Sequence, residues 1–195
     1  MLRITGSRKI VIADIESRRV DFATQNSFAD LGFVVPMKRG VTIEEKLAIA
    51  QEVSKLAKET SGSEEGFDAV FECTGVEACL QTAIYVTRPG GKVMLIGMGN
   101  PIQTLPISAA ALREVDLVGV FRYASTYEYG ISFLADKGAS IVAKGEGRAL
   151  PDISKLITHR FTGLDKIPDA FDMAGKGIDG DGKLVLKVFI EMEDV

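Results

Sequence analysis

Lys9-Ile10-Val11-Ile12-Ala13-Asp14 places four consecutive apolar residues in front of a carboxylate. A strand covered by helices on both faces of its sheet is apolar throughout rather than alternately, and this run has that character. Four more follow it: Phe33-Val34-Val35, Ala69-Val70-Phe71, Lys92-Val93-Met94-Leu95-Ile96 and Leu117-Val118-Gly119-Val120-Phe121. Helical patterns separate them at Ser17 to Leu31, Ile43 to Thr60, Glu77 to Thr87 and Ile107 to Glu114. Short buried strands alternating with helices are how βαβ units on a parallel sheet read, so an α/β, Rossmann-like fold is expected. The second helix is the best delimited, with Thr42 as its cap, Glu45 three residues on and Gly62 just past its end. Arg88-Pro89-Gly90-Gly91 reads as the turn into the fourth strand.

Asp14 stands at the carboxyl end of the first run, the edge on which open α/β sheets bind ligands. A carboxylate there can accept from both ribose hydroxyls of an adenosine, and its charge repels a 2′-phosphate, which favours NAD over NADP. The competing reading makes Asp14 a cap for the helix beginning near Ser17. Arg19, five residues on, can stack on an adenine ring or lie solvated on a helix face. Cys73-Thr74-Gly75 and Gly97-Met98-Gly99 end the third and fourth strands with small residues, which suits either ligand approach or tight turns.

The G-x-G-x-x-G loop that should precede such a carboxylate is absent. Nine residues precede Ile10. A strand, a phosphate loop and a crossover helix together need about 25 to 30. The expectation is a sheet lacking its first βα unit. A literal G-x-G-x-x-G at Gly175 to Gly180 and a near Walker A at Gly177 to Lys183 follow a helix and precede a strand. That order is the reverse of the one that aims backbone amides at phosphate.

With 195 residues, 46% of them apolar, the chain can bury a sizeable core. The net charge of -4 and the scattered Lys and Arg give no basic patch for nucleic acid or an anionic membrane. No apolar run has signal-peptide or membrane-span length, so a soluble, cytoplasmic protein is expected. Cys73, Cys79 and the single His159 cannot assemble a zinc site, and the two thiols are expected to be reduced. From about Leu150 the texture changes: apolar runs Leu156 to Phe161 and Leu184 to Ile190 flank a helix at Leu164 to Lys176. This divides the chain into 1–149, a truncated dinucleotide-binding domain, and 150–195, a separate piece whose helix, glycine-rich turn and last strand could dock onto a sheet of another domain.

Read in order, these segments resemble the medium-chain zinc-dependent polyol dehydrogenases (sorbitol, xylitol and arabinitol dehydrogenases). The resemblance is carried by Asp14 with Arg19, Phe71-Glu72-Cys73-Thr74-Gly75, Thr87-Arg88-Pro89-Gly90-Gly91, Gly97-Met98-Gly99, Arg113-Glu114-Val115-Asp116-Leu117, Gly119-Val120-Phe121-Arg122-Tyr123, Thr158-His159-Arg160-Phe161 and Ala170-Phe171. It implies NAD as cofactor, with Asp14 on the adenosine ribose, Arg19 on the adenine and Cys73, Thr74 and Gly75 lining the groove. It further implies that Ile96, Gly97 and Gly99 flank the nicotinamide ribose, and that Val120, Phe121 and Arg122 reach the carboxamide. Arg122 would also contact a hydroxyl of the sugar-alcohol substrate. His159, in a strand-like run that the family returns to its catalytic domain, is read as structural, and the resemblance makes 150–195 a C-terminal segment of that domain. The family's zinc ligands, proton relay and pyrophosphate loop have no counterpart here, so this chain is expected to be inactive by itself and to self-associate as a homo-oligomer through its incomplete sheet. The alternative is a noncatalytic dinucleotide-binding or oligomerisation module.

Overall fold

The computed structural model describes residues 6–135 and 150–192, so the proposed division at 149/150 lies at the border of the described residues. In chain order the elements are β1 (Val11–Asp14), α1 (Ser17–Gln25), β2 (Leu31–Val34), α2 (Ile43–Ser61), β3 (Phe67–Glu72), α3 (Glu77–Val86), β4 (Thr87–Leu95), α4 (Ile107–Ala111), β5 (Asp116–Gly119) and α5 (Tyr127–Ala135). A 3-10 turn at Ile153–Leu156 leads into β6 (Ile157–Thr162), and another at Leu164–Lys166 into α6 (Ile167–Ala174) and β7 (Lys187–Glu191). Every strand pairing within these elements is parallel.

The five expected strands are present but do not form one sheet. β1 pairs with β2, β3-β4-β5 form a second sheet, and β6 pairs with β7. The edge of β1 turned away from β2 belongs to Val11 and Ala13. Along a parallel strand alternate residues direct their polar groups to opposite sides, and the Ile10 and Asp14 carbonyls are the ones that accept from the β2 side. By the same alternation the outer edge of β3 belongs to Ala69 and Phe71, because the Glu72 carbonyl accepts from Ile96 and Gly97 beyond β4. Among the described residues no strand lies in this seam.

The helix α2 spans the seam on one face. Its start meets the start of α3 through Lys46 and Glu77, 3.3 Å apart. At its far end the Ser61 carbonyl accepts from the Lys9 ammonium, just ahead of β1, at 2.6 Å. α2 therefore runs antiparallel to β1 and alongside α3, which brings the carboxyl ends of β1 and β3 to the same end of the molecule. The helix forms where expected because Thr42 and Glu45 close a reciprocal capping box and Gly62 ends it with φ 67°.

The core lies under the three-stranded sheet. Leu80, Ala83 and Ile84 of α3 and Ala110 of α4 close on Val93, with Val70, Leu95 and Leu117 packed around them. Ile84 and Val93 are fully buried. Burial on this scale stabilises by about 1.5–3 kcal/mol for each large aliphatic side chain. On the opposite face of the same strands Phe71 and Ile96 remain 42% and 40% exposed.

Several boundaries differ from the sequence expectation for local reasons. α1 stops at Gln25, not Leu31, because Ser27 takes φ 62° and the amides of Phe28 and Ala29 fold back on the Ala23 carbonyl. Arg88 to Gly91 is not a turn between elements but a bulge inside β4: Phe67 faces Thr87 while Ala69 already faces Lys92. α4 ends at Ala111 because Glu114 takes φ 54° and the Val115 amide returns to the Ala110 carbonyl. The expected helix from Leu164 to Lys176 is a 3-10 turn followed by a shorter α-helix with Pro168 in its first turn. Finally, the last strand pairs with β6 of its own segment, so β6-α6-β7 is a small βαβ unit.

Candidate functional site

Asp14 closes β1 with its side chain 25% exposed. Its Oδ1 accepts from the Glu16 amide at 2.9 Å and faces the Arg19 Nη1 at 3.5 Å. The cap of α1 is Glu16, whose carboxylate accepts from the Arg18 amide, so Asp14 is not spent on capping the helix. Arg19, in the first turn of α1, is tied to the carboxylate five residues before it, a contact the sequence reading did not anticipate.

The end of β3 is built around a buried carboxylate that the sequence reading did not single out. Glu72 is 6% exposed. Its Oε1 accepts from the Thr74 amide at 2.8 Å, from the Gly75 amide at 3.1 Å and, in a short contact, from the Thr74 hydroxyl. Its Oε2 accepts from the Gly75 amide at 3.0 Å. The Thr74 hydroxyl in turn accepts from the Val76 amide at 3.0 Å. The Thr74 hydroxyl is thus both donor and acceptor within its own turn. Cys73 is exposed as a residue, yet its sulfur turns back toward the Phe71 carbonyl at 3.6 Å. Partial desolvation, and then the Glu72 charge, hold the thiol above the usual cysteine range. Cys73 and Cys79 are not bonded to each other.

The end of β4 lies directly against this turn. A Cβ on Gly97 would sit 2.0 Å from the Gly75 nitrogen, and one on Gly99 would sit 1.9 Å from the Gly75 oxygen. Gly75 itself has φ 73°, so side chains are excluded on both sides of the contact. The Ile96 and Gly97 amides both donate to the Glu72 carbonyl at 2.9 Å. Gln103 closes the far side by donating to the Gly75 carbonyl at 3.1 Å.

At the end of β5 the Val120 amide donates to the Leu95 carbonyl at 3.0 Å, which keeps Val120 beside β4. Phe121 is 79% exposed, and the Arg122 guanidinium lies 5.3 Å from the centre of its ring. Arg122 takes φ 51°, an uncommon conformation for a residue with a side chain. The structure thus brings Cys73, Thr74, Gly75, Ile96, Gly97, Gly99, Val120, Phe121 and Arg122 to one edge of one sheet. Asp14 and Arg19 stand at the same end of the molecule but across the seam.

The C-terminal segment reaches this end as well. Arg18 donates to the Gly182 carbonyl at 2.8 Å. His159 and Asp179, both nearly buried, meet at 3.0 Å, and Asp179 also accepts from the Asp181 and Lys183 amides. The His159 bond, then the Lys183 amide, hold the Asp179 carboxyl below the usual range. The glycine-rich stretch from Gly175 is therefore a turn closed by its own aspartate between α6 and β7, not a phosphate loop. His159 is fully engaged in that turn.

Among the described residues no group of three or more His, Cys, Asp or Glu could hold a metal ion, and no helix is long and apolar enough to cross a membrane. The donors of the described residues do not form a set that fits a zinc ion.

Residues 1–136 match the family model described as zinc-binding dehydrogenase. Sorbitol dehydrogenase of Gallus gallus is 34% identical over 175 residues, covering 90% of this chain and 42% of that protein. Sorbitol dehydrogenase of Arabidopsis thaliana is 35% identical over 170 residues, covering 87% of this chain and 40% of that protein. The chain thus spans less than half the length of these relatives. A solved structure from Sinorhizobium meliloti bound to NADP is 19% identical, covers 97% of this chain and 46% of its own, and superposes with a TM-score of 0.66. The last is a likeness of fold.

Proposed function

Since this chain belongs to the zinc-binding dehydrogenase family, as a C-terminal part of its medium-chain polyol dehydrogenases, we propose that it is the cofactor-binding part of an NAD-dependent enzyme that oxidises a sugar alcohol of the sorbitol or xylitol class to a ketose. The observation that carries this reading is the convergence of Asp14, the Gly75 and Gly97 to Gly99 turns and Arg122 at one end of parallel strands. NAD held there would supply the hydride acceptor. Asp14 would hold the adenosine ribose, Arg19 the adenine, and Cys73, Thr74 and Gly75 the groove floor. Ile96, Gly97 and Gly99 would flank the nicotinamide ribose, while Val120, Phe121 and Arg122 would meet the carboxamide and a substrate hydroxyl. Residues 150–195 would belong with a catalytic domain, a division supported by the separate β6-α6-β7 unit.

The absence of a metal-ligand set among the described residues favours a second reading for the chain by itself: a binding or assembly module without turnover. Titrating the 195-residue chain with NADH and following nicotinamide fluorescence tests the common premise. Saturable binding competed by AMP is the expected result. No competition by AMP would show that the nucleotide is not held through Asp14 and Arg19.

A further inference from the structure

We propose that Glu72 is a positioning residue of the dinucleotide crevice, its buried carboxylate locking the Cys73-Thr74-Gly75 turn so that this turn and the Gly97 to Gly99 turn present one fixed backbone surface to the cofactor. The inference rests on the dinucleotide reading for the identity of the ligand. Among the described residues no Lys, Arg or His forms an ion pair with Glu72, so the amides of Thr74 and Gly75 and the Thr74 hydroxyl are what stabilise its charge. A buried carboxylate without a cation is a costly way to close a turn, since taking the charge out of water is unfavourable unless its hydrogen bonds are complete. Here they converge on the two residues whose backbone touches the neighbouring strand end.

That contact leaves no slack. Gly97 and Gly99 approach Gly75 too closely for any Cβ, so a shift of Gly75 displaces both. Glu72 governs both sides of the contact, holding one turn by its side chain and accepting from the Ile96 and Gly97 amides through its main-chain carbonyl. A substitution cuts the first link and keeps the second. The crevice floor beyond the adenosine should therefore loosen, while the Asp14 and Arg19 end across the seam should not.

The experiment uses the whole chain with Glu72→Gln and, as a milder lesion, Thr74→Val. Glutamine keeps the shape but turns one acceptor into a donor facing the Gly75 amide. In Glu72→Gln, NADH should bind roughly tenfold more weakly while AMP stays within about twofold of the parent. Amide exchange at Thr74 and Gly75 should quicken by about tenfold or more, with α2 amides unchanged as the control for folding. Thr74→Val should fall between. Equal losses of NADH and AMP affinity, or unaltered exchange at Gly75, would overturn the proposal. A parent chain that binds neither NADH nor AMP would sink the dinucleotide reading instead, and the exchange rates would then decide by themselves whether Glu72 locks the turn.

Discussion

Asp14 has one carboxylate oxygen committed to the Glu16 amide and the edge of Arg19, and a side chain still a quarter exposed at the strand end. If it receives a ribose, its charge is what disfavours a 2′-phosphate. Asp14→Ser should then narrow the ratio of NADPH to NADH dissociation constants by about tenfold or more, measured by fluorescence titration. An unchanged ratio would remove Asp14 from the ribose. A second titratable residue bears on stability. The folded pKa of Asp179 is lowered, chiefly by its bond to His159. A lowered carboxylate contributes stability that is present above its unfolded pKa, near 4, and lost as pH falls through the folded value. Thermal melts of Asp179→Asn should accordingly lose part of the parent's decline in Tm below about pH 4. Superimposable pH profiles would show that the pair contributes nothing to acid stability.

Arg113 shows how an element can be held by a residue that carries family resemblance without touching a ligand. Its guanidinium donates to the carbonyls of Ala109, Thr87 and Ile84, each at 2.7 Å, and so pins the end of α3 and the start of β4 to α4. A lysine cannot span three acceptors in that planar arrangement. Arg113→Lys should cost about 1–3 kcal/mol in urea unfolding with the slope unchanged. A loss below a few tenths would mean solvent replaces these bonds. The element pattern itself could be read from apolar runs and caps: β1 and α2 stand where Ile10 to Asp14 and Thr42 to Gly62 put them, while β4 ends near the run Lys92 to Ile96 but begins at Thr87, ahead of the expected turn. What could not be read depended on backbone reversals with no periodic signal, such as Ser27 and Glu114. α5 was missed although Tyr127, Ile131 and Leu134 recur at helical spacing, because the run is short and Gly130, a weak helix former, lies inside it. Glu72 escaped notice for a different reason. A carboxylate closing an apolar strand looks solvent-bound until the amides two and three residues on are seen to turn back on it.

The molecule as a whole is governed by the seam between β1 and β3. Val11 and Ala13 on one side and Ala69 and Phe71 on the other leave strand edges of a kind that proteins normally pair, cover or blunt with charge. The uncovered sheet face adds Phe71 and Ile96, and α5 adds exposed Tyr127, Ile131 and Leu134. Such a surface invites association, so the chain should sediment as a concentration-dependent oligomer. A stable monodisperse monomer would show that these edges are covered in solution. The same seam bears on activity. Hydride transfer needs the cofactor anchored along its length and the alcohol polarised, and binding one end of a dinucleotide does not stabilise that transition state. The described residues contain no group of three or more His, Cys, Asp or Glu able to hold a metal ion, so the purified chain should hold no stoichiometric zinc by elemental analysis and should form no NADH from sorbitol or xylitol. If the remainder of a related sorbitol dehydrogenase carries a strand for the seam, a phosphate loop and zinc ligands, as the family resemblance implies, a fusion of this chain to it supplies all three together. That fusion should sediment as a defined species, bind zinc and form NADH, and Arg122→Ala should lower its kcat/KM for the polyol by about tenfold or more. Robust zinc-independent turnover by the chain alone would place the chemistry in a different site.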